Sequence, residues 1–232
     1  MMFFPERITG IQEGHRVLEV GPGADPHLRS DVLLEMAFDD PEEYQRQFGH
    51  NRPLVTGREV VYYDGKRFPF ADGAFDYVIC SHVIEHVPDV EAFVQECFRV
   101  ARRGYFEYPL CYYEYLYNFD VHLNLVKRSG GVLHYMKKSD TAIDQFRPVQ
   151  ELLHASLTRG YTGMLNDLLP WMMEGFEWDD PFPVERVHDL RAMCHATLDL
   201  PMQQEKPLHT LGPRRLLREL ITSLRTRILP KP

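Results

Sequence analysis

The sequence predicts an α/β fold built on a doubly wound, mostly parallel sheet. Three observations carry that expectation. Short aliphatic runs alternate with connections long enough for crossovers, the first run stops abruptly in a glycine turn, and chemically distinctive residues fall just after the runs rather than inside them. The 232 residues can bury a full core and leave chain for additions. With 44% hydrophobic and 26% charged residues, the composition is that of an ordinary globular protein without an apolar run long enough to span a bilayer.

In chain order, HRVLEV from His15 to Val20 reads as a buried strand ended by Gly21-Pro22-Gly23. DVLLE from Asp31 to Glu35 is the second strand. The connection between them, ADPHLRS, has room for a helix of about one or two turns. DDPEEYQRQ then carries a helix start, with Asp40 as N-cap and Pro41 in the first position, and is expected to cover the site. EVVYYD (Glu59 to Asp64) and FDYVIC (Phe75 to Cys80) are the third and fourth strands, joined by the turn-rich GKRFPFADGA. From Asp89 to Arg103, apolar Val90, Phe93, Val94, Cys97, Phe98 and Ala101 recur at helical spacing behind Pro88, and Gly104 is expected to close that helix before a fifth strand over Tyr105 to Tyr108.

Beyond Pro109 the aromatic stretch CYYEYLYNF leads into VHLNLV and VLHYMKK, which KRSGG joins as strand, glycine turn and strand. Its tyrosines either fill the core or stack on a flat ligand. Near the end, Leu216, Leu217, Leu220, Ile221, Leu224 and Ile228 share one face of a helix whose other faces carry Arg214, Arg215, Arg218, Arg225 and Arg227. Such a helix covers a core or touches an anionic membrane surface. The expected division is a ligand-binding core with its hairpin over 1–150 and a helical extension packed on it over 151–232.

Charge and cysteine usage narrow the function. A net charge of −8 is a poor match for a polyanion, so no nucleic-acid partner is expected. Four scattered cysteines without a C-x-x-C pair predict reduced thiols. The start, MMFFPERITG, has too brief an apolar run for a secretory signal, and a cytoplasmic location is expected.

In a doubly wound sheet the ligand lies beyond the carboxyl ends of the strands, where Gly21 to Gly23, Glu35, Asp64-Gly65 and Ser81-His82 would converge. Glycines admit a ligand close to the backbone, an acid after the second strand can accept both ribose hydroxyls, and one after the third can accept an adenine amino hydrogen. These demands fit an adenosine-containing ligand. A dinucleotide fits less well, because G-P-G-A-D-P lacks the third glycine and sets Asp25 where a pyrophosphate would lie.

The series VLEVGPG, then D-x-x-x-x-P-F-x-D-x-x-F-D, then E-H-V resembles the class I S-adenosylmethionine-dependent methyltransferase superfamily, in particular its type 11-like group, over about Arg16 to Pro109. The resemblance implies a Rossmann-like fold and S-adenosylmethionine as cofactor, with S-adenosylhomocysteine as product. It implies that Glu19, Gly21 and Gly23 surround the methionine part, that Glu35 holds the ribose, that Asp64 and Gly65 meet adenine, and that Ser81 lies near the sulfonium. Two departures stand out. Asp25 replaces the third glycine of the family's E-x-G-x-G-x-G turn, and the short first crossover leaves Asp39 or Asp40 as alternatives to Glu35.

Methyl transfer is an in-line displacement that rests on positioning and exclusion of water, and a hydroxyl acceptor gains from a nearby base. His82 and His86 follow the fourth strand, with His86 preferred, so the expected reaction is O-methylation of a small molecule or saccharide. SHVIEH also contains H-x-x-E-H, a metallopeptidase pattern, but the proline of VPD leaves no room for the long helix that pattern needs. The cluster is similar as well to the E-x-x-E-H of metal-dependent O-methyltransferases acting on quinone precursors and small-RNA ends. No metal is expected; were one used, His82, Glu85 and His86 would bind it, with His122 or His134 as further ligands. The rival reading is a non-catalytic module that keeps or has lost the cofactor pocket, with Asp25 as its support.

Overall fold

The computed structural model describes residues 2–37 and 56–196. The helix start at Asp40, the alternatives Asp39 and Asp40, and the basic helix near the end all lie outside them. By contacts, Met1–His195 forms one compact unit and Ala196–Pro232 another.

The main sheet contains β1 (Val17–Val20), β2 (Val32–Met36), β3 (Glu59–Tyr63), β4 (Tyr77–Ser81), β5 (Gly104–Pro109) and β8 (Met173–Trp178), in the order β3-β2-β1-β4-β5-β8. The first five are parallel, and β8 closes the edge antiparallel to β5, with Phe106 opposite Phe176. Central strands covered on both faces must be apolar throughout, and β1 is buried at every position while the edge strand β3 is not. The sheet is therefore the doubly wound one expected, with the chain reversing direction of progress at β1 and β4.

Helix α1 (Val90–Val100) packs Val90, Phe93, Val94, Cys97 and Phe98 into the core, and Asp89 caps it by accepting the Ala92 N–H at 3.0 Å. The helix ends at Val100 and Gly104 does not close it. Gly104 instead opens β5, where an added Cβ would lie 2.4 Å from the Val78 carbonyl and 2.8 Å from Trp178. Close approach of neighbouring elements, not helix termination, is its reason for being glycine.

The connection from β1 to β2 contains turns and no helix, contrary to the one or two turns expected. Side chains do the work of a helix's hydrogen bonds there. Glu19 accepts from the His27 N–H and the Ser30 hydroxyl, and Arg58 donates to the carbonyls of His27 and Leu28.

After β5 the aromatic stretch forms helix α2 (Cys111–Tyr117), ended by Asn118 in the left-handed region at φ 44°. The predicted hairpin is present as β6 (Asn124–Ser129) and β7 (Val132–Lys137), turning through Gly130 and Gly131, and β9 (Val184–Arg186) joins β7 in parallel. Helices α3 (Arg147–Thr158), α4 (Gly163–Asp167) and α5 (Leu169–Met172) lie between β7 and β8. Tyr113, Tyr117, Leu165 and Met172 share a second apolar cluster. No helix among the described residues is long and apolar enough to cross a membrane. The four cysteines are free thiols, and three of them are buried.

Candidate active site

Parallel strands point their carboxyl ends to one edge, so the register decides which residues meet. Val20 lies opposite Leu34 and Cys80, Met36 opposite Tyr63, and Ser81 opposite Glu107. Gly21, Glu35, Asp64 and Ser81-His82 therefore occupy neighbouring strand tips. Backbone bonds knit them together: Gly21 N–H to the Leu34 carbonyl at 2.9 Å, Ala37 N–H to Tyr63 at 2.9 Å, and His82 N–H to Glu107 at 2.8 Å.

Gly21 has φ 63°, and a Cβ there would lie 2.5 Å from Val83 Cγ2, so only glycine lets the β1 turn sit against the loop after β4. Glu35 is buried at the end of β2 and accepts the Met36 N–H at 3.0 Å. Burial raises its carboxyl to about 7, against hydrogen bonds from the backbone of Met36 and Gly23. The bond from Gly23 also sets the glycine turn directly beside Glu35. Asp64 is exposed and accepts the Lys66 N–H at 3.1 Å. Met36, absent from the sequence-based set, is exposed at the β2 tip, and a Cβ on Gly65 would lie 3.6 Å from its methyl carbon. It provides an apolar surface between the two acids.

Not every expected residue faces this crevice with free polar atoms. One Glu19 oxygen is committed to the β1–β2 connection, and burial pushes its carboxyl above the usual range despite those bonds. The Ser81 hydroxyl donates to Glu107 at 3.1 Å. Glu107, fully buried, also accepts from the Phe3 and Phe4 N–H groups and the Tyr105 hydroxyl. It gives no sequence signal because it sits mid-strand among aromatics.

The two histidines differ sharply. His82 occupies the left-handed region at φ 56° and contacts Glu85 with Nδ1 at 3.2 Å and Glu107 with Nε2 at 3.1 Å. Burial opposes its charge, but the hydrogen bonds to Glu107 and Glu85 outweigh that and hold its pKa at about 9. Glu85 is correspondingly held at about 2, where the bond from His82 overcomes burial. His82 is thus a cation near neutral pH, with both nitrogens donating and no lone pair free for a proton. His86, driven by burial down to about 4, is neutral.

The 3₁₀ turn Ile84–His86 is clamped from below. Asn124 donates to the carbonyls of Ile84, Glu85 and Val87, and Leu123 N–H donates to Glu85 at 2.7 Å. This brings His122 to the turn: its ring stands edge-on to His86 at 4.6 Å, and potential ligand atoms of Glu85, His86 and His122 all lie within 4.8 Å of one another. His82 and His134 are not in that group. A single 3₁₀ turn with His82 engaged elsewhere is not the paired-histidine helix of a metallopeptidase, and that reading is not favoured.

An open sheet in the order 3-2-1-4-5, with an antiparallel strand beyond the fifth, is a doubly wound α/β sheet whose crevice lies at the adjacent tips that carry the acids. Residues 30–106 match the model of a methyltransferase domain family, a stretch that begins after the glycine turn. An uncharacterized methyltransferase of Mycobacterium sp. (strain KMS) is 33% identical over 91 residues, 39% of this chain and 36% of that relative. The ajmaline N-methyltransferase of Rauvolfia serpentina is 49% identical over 41 residues, 18% of this chain and 14% of that protein. The chain thus spans about a third of the length of its mycobacterial relative. Among solved structures, a SAM-dependent methyltransferase from Aquifex aeolicus is similar at 20% identity and TM-score 0.31, covering 46% of this chain and 63% of that one. Over residues 30–106, the strands and strand tips from β2 into β5, the chain is thus similar to methyltransferase domains.

Proposed function

We propose that this protein is a methyltransferase that binds S-adenosylmethionine across the tips of β1 to β4 and methylates a hydroxyl of a small molecule or saccharide. The arrangement carrying this reading is the sequence of groups along one sheet edge: a glycine turn after β1, a buried carboxylate and an apolar side chain at the end of β2, and an exposed carboxylate after β3. Their chemistry fits the cofactor. Gly21 and Gly23 leave backbone open to its amino-acid end, Glu35 offers oxygens for the ribose diol, Met36 offers a face for a flat base, and Asp64 with Gly65 accepts from an amino group.

When bound, the cofactor supplies an electrophilic methyl group. The chain's own part is to orient the acceptor, exclude water and receive a proton. His86 suits the last task because it is neutral, half-buried beside the β4 tip, and leaves Nδ1 without a partner among the described residues. A fixed imidazolium at His82 braces the loop and contributes positive charge rather than basicity. The Rauvolfia relative is named as an N-methyltransferase, and a nitrogen acceptor, which needs no comparable base, is the competing outcome.

The test is transfer of labelled methyl from S-adenosylmethionine to fractionated metabolite and glycan pools. Label in hydroxyl-bearing acceptors as alkali-stable methyl ethers is the expected result. Label only in amines would replace the oxygen acceptor with a nitrogen one. Cofactor binding without any transfer would favour a non-catalytic module.

A further inference from the structure

We propose that Glu85, His86 and His122 together hold a divalent transition-metal ion, a site distinct from the cofactor-binding strand tips. Its position after β4 makes it a companion to the methyl-transfer reading, but its existence does not rest on that reading.

Three observations converge. First, the donors are the right type and close together, two imidazoles and a carboxylate with potential ligand atoms within 4.8 Å of one another. A tetrahedral ion at roughly 2.1 Å from each ligand needs them about 3.4 Å apart, a distance within reach of side-chain rotation. Second, two of the three carry buried polar atoms without a protein partner. Glu85 is 0% exposed, and its Oε2, like Nδ1 of His86, has no hydrogen-bond partner among the described residues. Leaving such atoms unpaired is costly, and a cation would satisfy both at once.

Third, the surroundings match those of a built metal site. Nδ1 of His122 is hydrogen-bonded to Glu114, which is fully buried and also holds Lys138 at 3.1 Å. An imidazole oriented by a carboxylate has its other nitrogen presented as a lone pair. His122 also stacks on Phe119, with centroids 5.1 Å apart, while the Asn124 and Leu123 bonds fix the turn bearing Glu85 and His86. Charge agrees as well. Among the described residues, the buried carboxylates Glu85, Glu107 and Glu114 are paired with the rings of His82 and His122 and with Lys138, so a second carboxylate stands behind the ligand His122. Two imidazoles with one carboxylate select zinc or a comparable first-row ion over magnesium or calcium. Three protein ligands leave a coordination position open for an acceptor oxygen, where an ion lowers hydroxyl pKa and relieves His86 of the base's task.

The full chain, freed of metal by chelator and dialysis, is titrated with Zn²⁺ without cofactor, and with Co²⁺ followed by visible absorption. One ion per chain is expected, with cobalt bands of low-symmetry nitrogen-oxygen coordination. Glu85→Gln and His122→Gln should weaken Zn²⁺ by at least about tenfold, and Glu114→Gln by about 10–100-fold through its hold on His122. His134→Ala, altering a β7 histidine outside the cluster, should bind as the parent does. Circular dichroism identifies any variant that fails to fold, and Glu114→Gln, which is not itself a ligand and keeps a hydrogen-bonding group beside His122, then serves in its place. The proposal is overturned by no saturable Zn²⁺ binding in the parent, by undiminished binding in the folded cluster variants, or by equal loss in His134→Ala. Because cofactor is absent, failure here leaves the methyltransferase reading standing.

Discussion

His82→Ala is expected to destabilise the protein by about 3–5 kcal/mol, the cost of leaving buried charges without their counter-ion. Both Glu85 and Glu107 have fully buried side chains, and each loses its bond to the His82 ring in the variant. Alanine keeps a Cβ at φ 56°, so the substitution relieves none of the backbone strain there and nothing offsets the loss. The same ion triad predicts a pH signature in the parent. The folded pKa of His82, about 9, stands above its ordinary value of about 6.5. The stabilisation is therefore fully present below about pH 6.5 and lost as pH rises through about 9, on the order of 3 kcal/mol in all. Urea unfolding at pH 6.5 and 9.5 measures this. A His82→Ala variant as stable as the parent, or a parent with no loss between those pH values, would show that the triad does not hold the loop.

The second large effect falls on the reaction. In the metal-free protein, His86→Ala should lower kcat toward a hydroxyl acceptor by about 10²–10⁴-fold, the span attributed to a positioned general base, with little change in folded-state stability. Its neutral imidazole also makes a distinctive pH profile. With a pKa near 4, His86 is already unprotonated at pH 5.5, so kcat/KM should show no acid limb between pH 5.5 and 8. A limb centred near 9 would instead assign proton transfer to His82, whose charge is lost there. A His86→Ala variant that turns over at the parent's rate would remove the residue from the chemistry.

Much of this was legible in the sequence because strands buried on both faces are written as unbroken aliphatic runs. VLEV, VLLE and YVIC each mark a central strand to within about two residues, and the D-x-x-x-x-P-F-x-D pattern marks the tip of β3. What escaped was set by long-range pairing. Strand β8 contains Glu174, Gly175 and Glu177 and carries little strand signal, yet β5 gives it a partner at every position and Tyr77 and Thr9 take up Glu177. Gly104 looked like a helix terminator because its neighbours Val78 and Trp178 are remote in sequence. The aromatic stretch gave no helical period by polarity, since Tyr113 and Tyr117 are buried by residues remote in sequence, Phe4, Leu165, Met172 and Met173.

The site shows the same division. Glycines and acids at strand tips announce themselves through turn chemistry and position, as Gly21, Glu35 and Asp64 do. Roles that depend on what lies opposite do not. Nothing local distinguishes His82 from His86; the separation comes from Glu107, more than twenty residues on, which captures one ring and not the other. His122 joins the turn through Asn124 and Leu123, a contact between segments that only the folded chain brings together.

The central claim is that strand tips remote in sequence form one cradle for an adenosyl cofactor. Calorimetric titration with S-adenosylhomocysteine tests it most directly. One site per chain is expected, tightening as pH rises through about 7, where Glu35 ionises and becomes a full acceptor. Glu35→Ala should weaken it by about 1.5–3 kcal/mol, roughly tenfold to more than a hundredfold, and Asp64→Ala by about 1 kcal/mol. An absence of binding, or identical affinity in the parent and in both variants, would contradict the account.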